Sequence, residues 1–479
     1  MNAADLLLRG APTAEAIVSR EETLSYAGLR NRVARSAFLW QRYGLRPGKR
    51  CVIGLVDGTD WVAAFLGAIW MGGVPIAISP RTEASLIRDL IDDSGAEAML
   101  LEDESAAAVG DSRALGRREW RERLDDCSEE AVLHKAKADE PAFWLYSSGT
   151  TGRPKGIVHH HRAADCADAF AREVLGATPQ DRFYSTSKLF FAYPLANALF
   201  AGLRLGAAVV LDAEWPNPDA VARNISCFRP SLFFSVPTLY RRLLEAGVDF
   251  TGVRAAVSAG EACPPELAEA WQRASPAPLV NGYGTTETLS LMLYRTPEMD
   301  GLQPTPLTRV QVDEEEGFRD GAGRLWFSHP AVAGGYSRVV THDSARFGPG
   351  GFSPGDLFRE TAGSMGKTWR FAGRSDQLVK VFGRWVDTVS LEQAIGQRLA
   401  GQVEESCIVP VGGGEGSMIS LHLFAVPGAR DPAEAGRIID EALAGLPAYL
   451  RPEAVHLLAD LPRTETGKLR RAELSKLAR

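Results

Sequence analysis

Residues 147–156 read SSGTTGRPKG and follow an apolar run at 142–146. Small hydroxylic side chains and glycines let a backbone come close to a polyphosphate. Their N–H and O–H groups then donate to its oxygens. Lys155 adds a point charge suited to a β- or γ-phosphate. The stretch is not a Walker A loop, because Pro154 stands five residues after Gly149 where that motif needs glycine. A Gly/Ser/Thr cluster can also be a plain surface turn. Ten residues in this order, directly after a strand, are far more specific than a lone glycine motif.

Outward from this loop, short β-branched runs alternate with helical patterns. Strands are expected at 51–55, 74–79, 98–102, 207–212, 232–236 and 253–258, with helices such as 84–94 and 219–228 between them. That alternation implies crossover units and a largely parallel sheet covered on both faces, an α/β fold. From about 301 to 371 glycine and proline become frequent and helices scarce. Short strands are expected there at 309–312 and 324–327, in a small β-rich subdomain. A compact α+β tail follows, with a strand at 377–382, helices at 390–399 and 432–443, and a basic end. Residues 314–316, three glutamates, read as a solvated turn.

The chain has 479 residues, enough for two or three domains, with 45% hydrophobic and 24% charged residues. Its net charge of −7 disfavours nucleic acid as the main partner. Six cysteines without a C-x-x-C pair indicate neither a zinc site nor a disulfide framework, and a reducing, cytoplasmic setting is expected. The N-terminal apolar run ends at Arg9, too short for a signal-peptide core. Residues 61–78 carry no charge, but Gly72, Gly73 and Pro75 divide them into a buried helix and a short strand rather than a membrane span. His159, His160 and His161 are consecutive, and on a strand they would point to alternate faces, so one ion is not easily shared. Residues 412–416 (GGGEG) read as a loop between strands.

The ten-residue loop resembles the signature loop of the adenylate-forming superfamily: acyl-CoA synthetases, peptide-synthetase adenylation domains and luciferases. Four further segments resemble that family in its order. They are 281–287 (NGYGTTE), 354–358 (PGDLF), 373–383 (GRSDQLVKVFG) and 462–471 (PRTETGKLRR). The resemblance implies a large N-terminal body, 1–375, of two helix-covered β-sheets plus the β-rich subdomain. A small mobile α+β domain, 376–479, follows as a lid. It implies ATP and Mg²⁺, and it assigns roles. Ser147, Ser148, Gly149, Thr150, Thr151, Gly152 and Lys155 would hold phosphates. Gly260, Glu261 and Ala262 would line one side of the adenine, and Asn281, Gly282, Tyr283, Gly284, Thr285 and Thr286 the other. Asp356 and Arg374 would hold the ribose. Glu287 is a hard oxygen ligand suited to Mg²⁺, with Thr150 or Thr151 as hydroxyl partner. Lys468 would enter the site during adenylation to neutralise carboxylate and α-phosphate. Asp376 would be the hinge and Gly383 would face the thiol tunnel. Gln377 departs from relatives that carry a second acid there.

The stretches 187–200 (SKLFFAYPLANALF) and 380–392 (KVFGRWVDTVSLE) resemble benzoate-CoA and anthranilate-CoA ligases, which take small aromatic acids. The expected lining of the acid pocket is Phe191, Ala192, Tyr193, Pro194, Ala259, Gly284 and Leu289. Phe191 and Ala192 supply no carboxylate for an α-ammonium group, which disfavours an α-amino acid because its cation would be buried unpaired. Pro194, Tyr283 and Ser290 differ from the usual benzoate-type residues. The expected reaction is formation of acyl-AMP from a small carboxylic acid, then transfer to coenzyme A. The alternative is an adenylating enzyme that loads a carrier-protein phosphopantetheine. A monomer or homodimer is expected.

Overall fold

The structure is a computed structural model that describes residues 1–147, 155–313, 318–319, 322–337, 346–363, 366–374, 378–381, 384–412, 419–463 and 469–478. The chain divides into two compact units: 1–312 with 326–354 and 361–369, and 313–325 with 355–360 and 370–479.

The first unit holds two large sheets. One is seven-stranded, and its order runs Gly335–Tyr336, Lys155–His160, Pro141–Ser147, Val74–Ala77, Arg50–Gly54, Ala98–Leu101, Ala114–Gly116. Its strands are parallel from Pro141–Ser147 onward, and the two on the other side pair antiparallel. The other is nine-stranded, with a parallel centre of Leu279–Tyr283, Ala255–Ser258, Leu232–Ser235, Arg182–Ser185 and Ala208–Val210. Ala208–Val210, Leu232–Ser235 and Ala255–Ser258 are buried at every position and read as near-continuous apolar runs, the expected pattern for a parallel sheet covered on both faces.

The uncharged stretch from Trp61 resolves as the helix Thr59–Trp70, all twelve residues buried, then Gly72 at φ +86° and the strand Val74–Ala77. A helix apolar all round must be enclosed. Here it joins residues of both sheets in one core, with Trp61 stacked on Phe65 and Phe65 against Phe143 and Phe200. Truncating Trp61 or Phe65 to alanine would cost on the order of 3–5 kcal/mol. No described helix is long and apolar enough to cross a membrane.

The second unit has its own core. The strands Glu405–Val411, Ser420–Val426 and Ala454–Leu457 form a mixed sheet, the hairpin Leu378–Val381 with Arg384–Asp387 a small one, and the helices Thr388–Arg398 and Pro432–Ala444 cover them. Ile395, Ile408, Leu423 and Ile439 are buried in it. Asp431 caps the second helix by accepting from the N–H groups of Ala433 and Glu434.

Candidate functional site

Ser147 ends one strand and Lys155 opens the next, and the two are register partners across an antiparallel pair. Ser148, Gly149, Thr150, Thr151 and Gly152 lie outside the described residues, as do Asp376, Gly383 and Lys468. The next strand out places Tyr336 opposite Ile157 and Gly335 opposite Val158, and the Ser337 N–H donates to the Gly156 carbonyl at 2.7 Å. A Cβ on Gly156 would lie 2.7 Å from Ser337 Oγ, so glycine permits this approach.

Tyr336 is the residue that sequence reasoning missed. Its hydroxyl donates to Glu287 Oε1 at 2.9 Å, and Lys155 Nζ lies 5.8 Å from its ring centroid. The Glu287 carbonyl accepts from the Ala333 N–H at 2.8 Å, which ties the 281–287 segment to the loop just before Tyr336. Lys155, Tyr336 and Glu287 are thus gathered at the edge of one sheet: a cation, a phenol and a half-buried carboxylate. A carboxylate oriented by a neutral hydroxyl suits a hard cation such as Mg²⁺. Tyr336 has no motif of its own in the sequence, and only strand pairing brings it beside Lys155.

Asn281 to Tyr283 run along the strand Leu279–Tyr283, where Asn281 pairs with Ser258 on the neighbouring strand. Gly260, at φ +88°, turns the chain just beyond that strand, in a conformation that favours glycine. The 260–262 loop and the 281–286 segment therefore emerge side by side at the C-terminal ends of adjacent parallel strands, where open α/β sheets bind ligands. The Glu261 side chain is engaged by Thr238, whose N–H and hydroxyl donate to it at 3.0 and 2.7 Å. Tyr283 is half-buried and its ring lies 5.9 Å from Phe327. Gly284 is required by packing, since a Cβ there would lie 2.7 Å from the Ser290 carbonyl oxygen.

Beyond Glu287 the chain folds tightly. Thr288 Oγ1 accepts from the Thr285 N–H at 2.9 Å, and the Ser290 N–H reaches the Thr288 carbonyl at 2.6 Å. Leu289 between them sits at φ +61°, a conformation that costs a bulky residue of order 1–3 kcal/mol. Its side chain is nonetheless buried.

Phe191, Ala192, Tyr193 and Pro194 begin a helical segment that contains a π-helical turn, Leu195–Phe200, a distortion frequent at functional sites. The Tyr193 hydroxyl donates to the Val257 carbonyl at 2.8 Å, which fixes its ring beside the strand that leads to Ala259. Burial pushes its pKa well above the ordinary tyrosine value. Phe190 and Phe191 pack with ring centroids 4.2 Å apart.

Asp356 is buried at the start of the strand Asp356–Gly363, and Arg374 ends the strand Gly366–Arg374. Both belong to the second unit. Of the three histidines, only two lie on the strand. His159 stacks on Phe143 at 4.9 Å, and His161 opens a 3₁₀ turn where its Nδ1 accepts from the Ala3 N–H at 3.0 Å.

The family model for AMP-binding enzymes matches residues 7–337. A 3-hydroxybenzoate–CoA ligase from Aromatoleum sp. is 32% identical over 100% of this chain and 97% of that protein. An anthranilate–CoA ligase from Pseudomonas aeruginosa is 34% identical over 96% of this chain and 92% of that protein. The crystal structure of a benzoate CoA ligase from Burkholderia xenovorans superposes with a TM-score of 0.84 at 27% identity, covering 99% of this chain and 100% of that one. Matched over most of its length by the family model and over nearly all of it by relatives above 30% identity, the chain belongs to the AMP-binding enzymes, as an AMP-forming acid–CoA ligase.

Proposed function

We propose that the enzyme activates a small aromatic carboxylic acid with ATP and transfers the acyl group to coenzyme A. One observation carries the aromatic reading. The wall from Phe190 to Tyr193 is aromatic, and its one polar tip, the Tyr193 hydroxyl, is already bonded to Val257. Such a wall favours a flat apolar ring and leaves an ammonium group without a partner. The full-length relatives named for benzoate-type acids support the same reading.

In the first step a carboxylate oxygen attacks the α-phosphorus, a P–O bond forms, the α–β anhydride breaks and pyrophosphate leaves. In the second, the thiolate sulfur attacks the acyl carbon, a C–S bond forms, the C–O bond breaks and AMP leaves. Glu287, with Thr150, would hold Mg²⁺, which neutralises phosphate charge when bound. Lys155 and the 147–152 loop position the polyphosphate. The 260–262 and 281–286 segments hold the adenine, and Asp356 and Arg374 the ribose. Lys468 supplies the cation for the first step, Asp376 the hinge between steps, and Gly383 the open wall for the thiol arm. These roles rest on the motif matches and on the gathering of Lys155, Tyr336 and Glu287.

Pyrophosphate release with ATP, Mg²⁺ and a panel of benzoate, hydroxybenzoates, anthranilate and short aliphatic acids tests the reading. Release with aromatic acids only, followed by thioester formation with free coenzyme A, is the expected result. Release with aliphatic acids alone would overturn the aromatic reading. Turnover only with a carrier protein would overturn the acceptor.

A further inference from the structure

The base of the aromatic wall is clamped from two sides by buried charged groups that the reaction does not use. Asp57 sits in the turn between the strand Arg50–Gly54 and the helix Thr59–Trp70. Both of its carboxylate oxygens accept from the Leu189 N–H at 3.2 Å, and the residue is only 7% exposed. Lys188, 6% exposed, turns the other way, and its ammonium donates to the carbonyls of Asp212 and Glu214, just past the strand Ala208–Val210. Two consecutive residues are therefore held by loops from the two different sheets. Burial, assisted by the charge of Asp212, pushes the Asp57 pKa up to about 6, while Lys188 and the Leu189 N–H pull it down. Leaving a buried carboxylate at such a cost needs a reason, since an apolar residue would be cheaper.

A ladder of rings continues from the clamp. The Arg81 guanidinium lies 4.1 Å over Trp215, Trp215 meets Phe190 edge-on at 6.4 Å, and Phe190 packs on Phe191. Phe190 and Phe191 follow the clamped pair directly in the chain, and the Phe191 N–H donates to the Lys188 carbonyl at 3.0 Å.

We infer that Asp57 and Lys188 are positioning residues that set the acid-pocket wall through Leu189 and Phe191, and so tune affinity for the acid rather than for ATP. This rests on the reading of 191–194 as that wall. A wall held from one side only could tilt, and misplacement of about 1 Å at a binding surface costs up to about 100-fold.

Two readouts test the clamp. The first needs no substrate: hydrogen–deuterium exchange of the 187–193 peptide in the full chain. Asp57→Ala and Lys188→Gln should speed its exchange at least tenfold and leave peptides over Arg182–Ser185 and Leu232–Ser235 unchanged. Asp57→Asn keeps an acceptor oxygen for Leu189 and should restore most of the protection. The second is the KM split with benzoate, hydroxybenzoates and anthranilate. Asp57→Ala should raise the acid KM at least tenfold with the ATP KM within twofold, and Arg81→Ala, on an exposed side chain, should raise the acid KM two- to threefold. Unchanged exchange of 187–193, or equal rises in both KM values, would overturn the clamp. Phe191→Ala separates the two ideas: if it leaves every acid KM unchanged, the wall itself is misassigned, whatever the exchange data show. A silent acid panel would overturn the proposed function and leave exchange to decide the clamp.

Discussion

Replacing Glu287 with glutamine removes one charge and almost no shape. The amide oxygen can still accept from Tyr336, so the 2.9 Å bond survives as a neutral one. Charged hydrogen bonds are worth roughly 1.5–3 kcal/mol and neutral ones about 1, so the fold should lose about 1 kcal/mol. An unfolding entropy of about 2.1 cal/mol/K per residue, over 479 residues, is about 1 kcal/mol/K, so Tm should fall by only ~1 °C. Catalysis should respond much more. Losing a preorganised charge at the metal and phosphate site typically costs about 3–4 kcal/mol, or 10²–10³ in rate. Pyrophosphate release measured against Mg²⁺ concentration at saturating acid and ATP would show both a lower plateau and a half-saturation at least tenfold higher. Glu287→Gln protein with an unaltered Mg²⁺ profile would refute the assignment. Tyr336→Phe keeps the charge but frees it to rotate, so it should raise the Mg²⁺ requirement severalfold and lower the plateau less.

Three other outcomes are expected. Lys468→Ala should abolish acyl-AMP formation, a loss on the order of 3 kcal/mol in barrier terms, while thioester formation from supplied acyl-AMP continues; equal failure of both steps would misplace the residue. Gly284→Ala would press a Cβ to 2.7 Å from the Ser290 carbonyl oxygen and 3.3 Å from Leu291 Cα, backbone atoms that yield poorly. Urea unfolding should register a loss of about 1–3 kcal/mol, and an unchanged midpoint would contradict the packing argument. The third concerns acid. Burial holds His159 at about 3, and His161 and His329 at about 4, so the unfolded chain takes up these protons first as pH falls below about 6.5. Depressed histidine values mean stability present above the unfolded pKa and lost on acidification. Asp57, raised to about 6, works the other way by holding one proton in the folded state between its ordinary value and about pH 6. Three protons less that one leave about two, so these four groups contribute a loss of about 2.7 kcal/mol per pH unit between pH 6 and 4. His159→Phe should lessen that slope by about 1.4 kcal/mol per unit in urea titrations at several pH values, and an unaltered slope would contradict it.

The layered α/β body was legible because its signals are local. The run at 232–235 has room only for buried side chains, and the helix Ala84–Ser94 shows its apolar face in its spacing and ends at Gly95 in a left-handed cap. Gly72, Gly73 and Pro75 were enough to divide the uncharged stretch into helix and strand. The 281–287 segment was legible as a motif, and its adjacency to Gly260 followed once both strands lay in one parallel sheet. Tyr336 was not legible, because it reaches Glu287 only through pairing of a two-residue strand with Lys155–His160. Asp57 and Leu189 are 132 positions apart, and their hydrogen bond forms only when the two sheets pack. His161 left the strand because the chain turns into a 3₁₀ helix there, a distinction that one residue type in a row of three cannot signal. Leu289 took a left-handed conformation because Thr288 closes a tight turn around it, against the steric preference of leucine.

The most direct measurement is pyrophosphate release by the purified chain with ATP, Mg²⁺ and each acid in turn, followed by mass detection of the coenzyme A thioester. Release should depend on a benzoate-type acid and be followed by a thioester of that same acid with free coenzyme A. Release with none of the aromatic acids, while an aliphatic acid turns over, would contradict it.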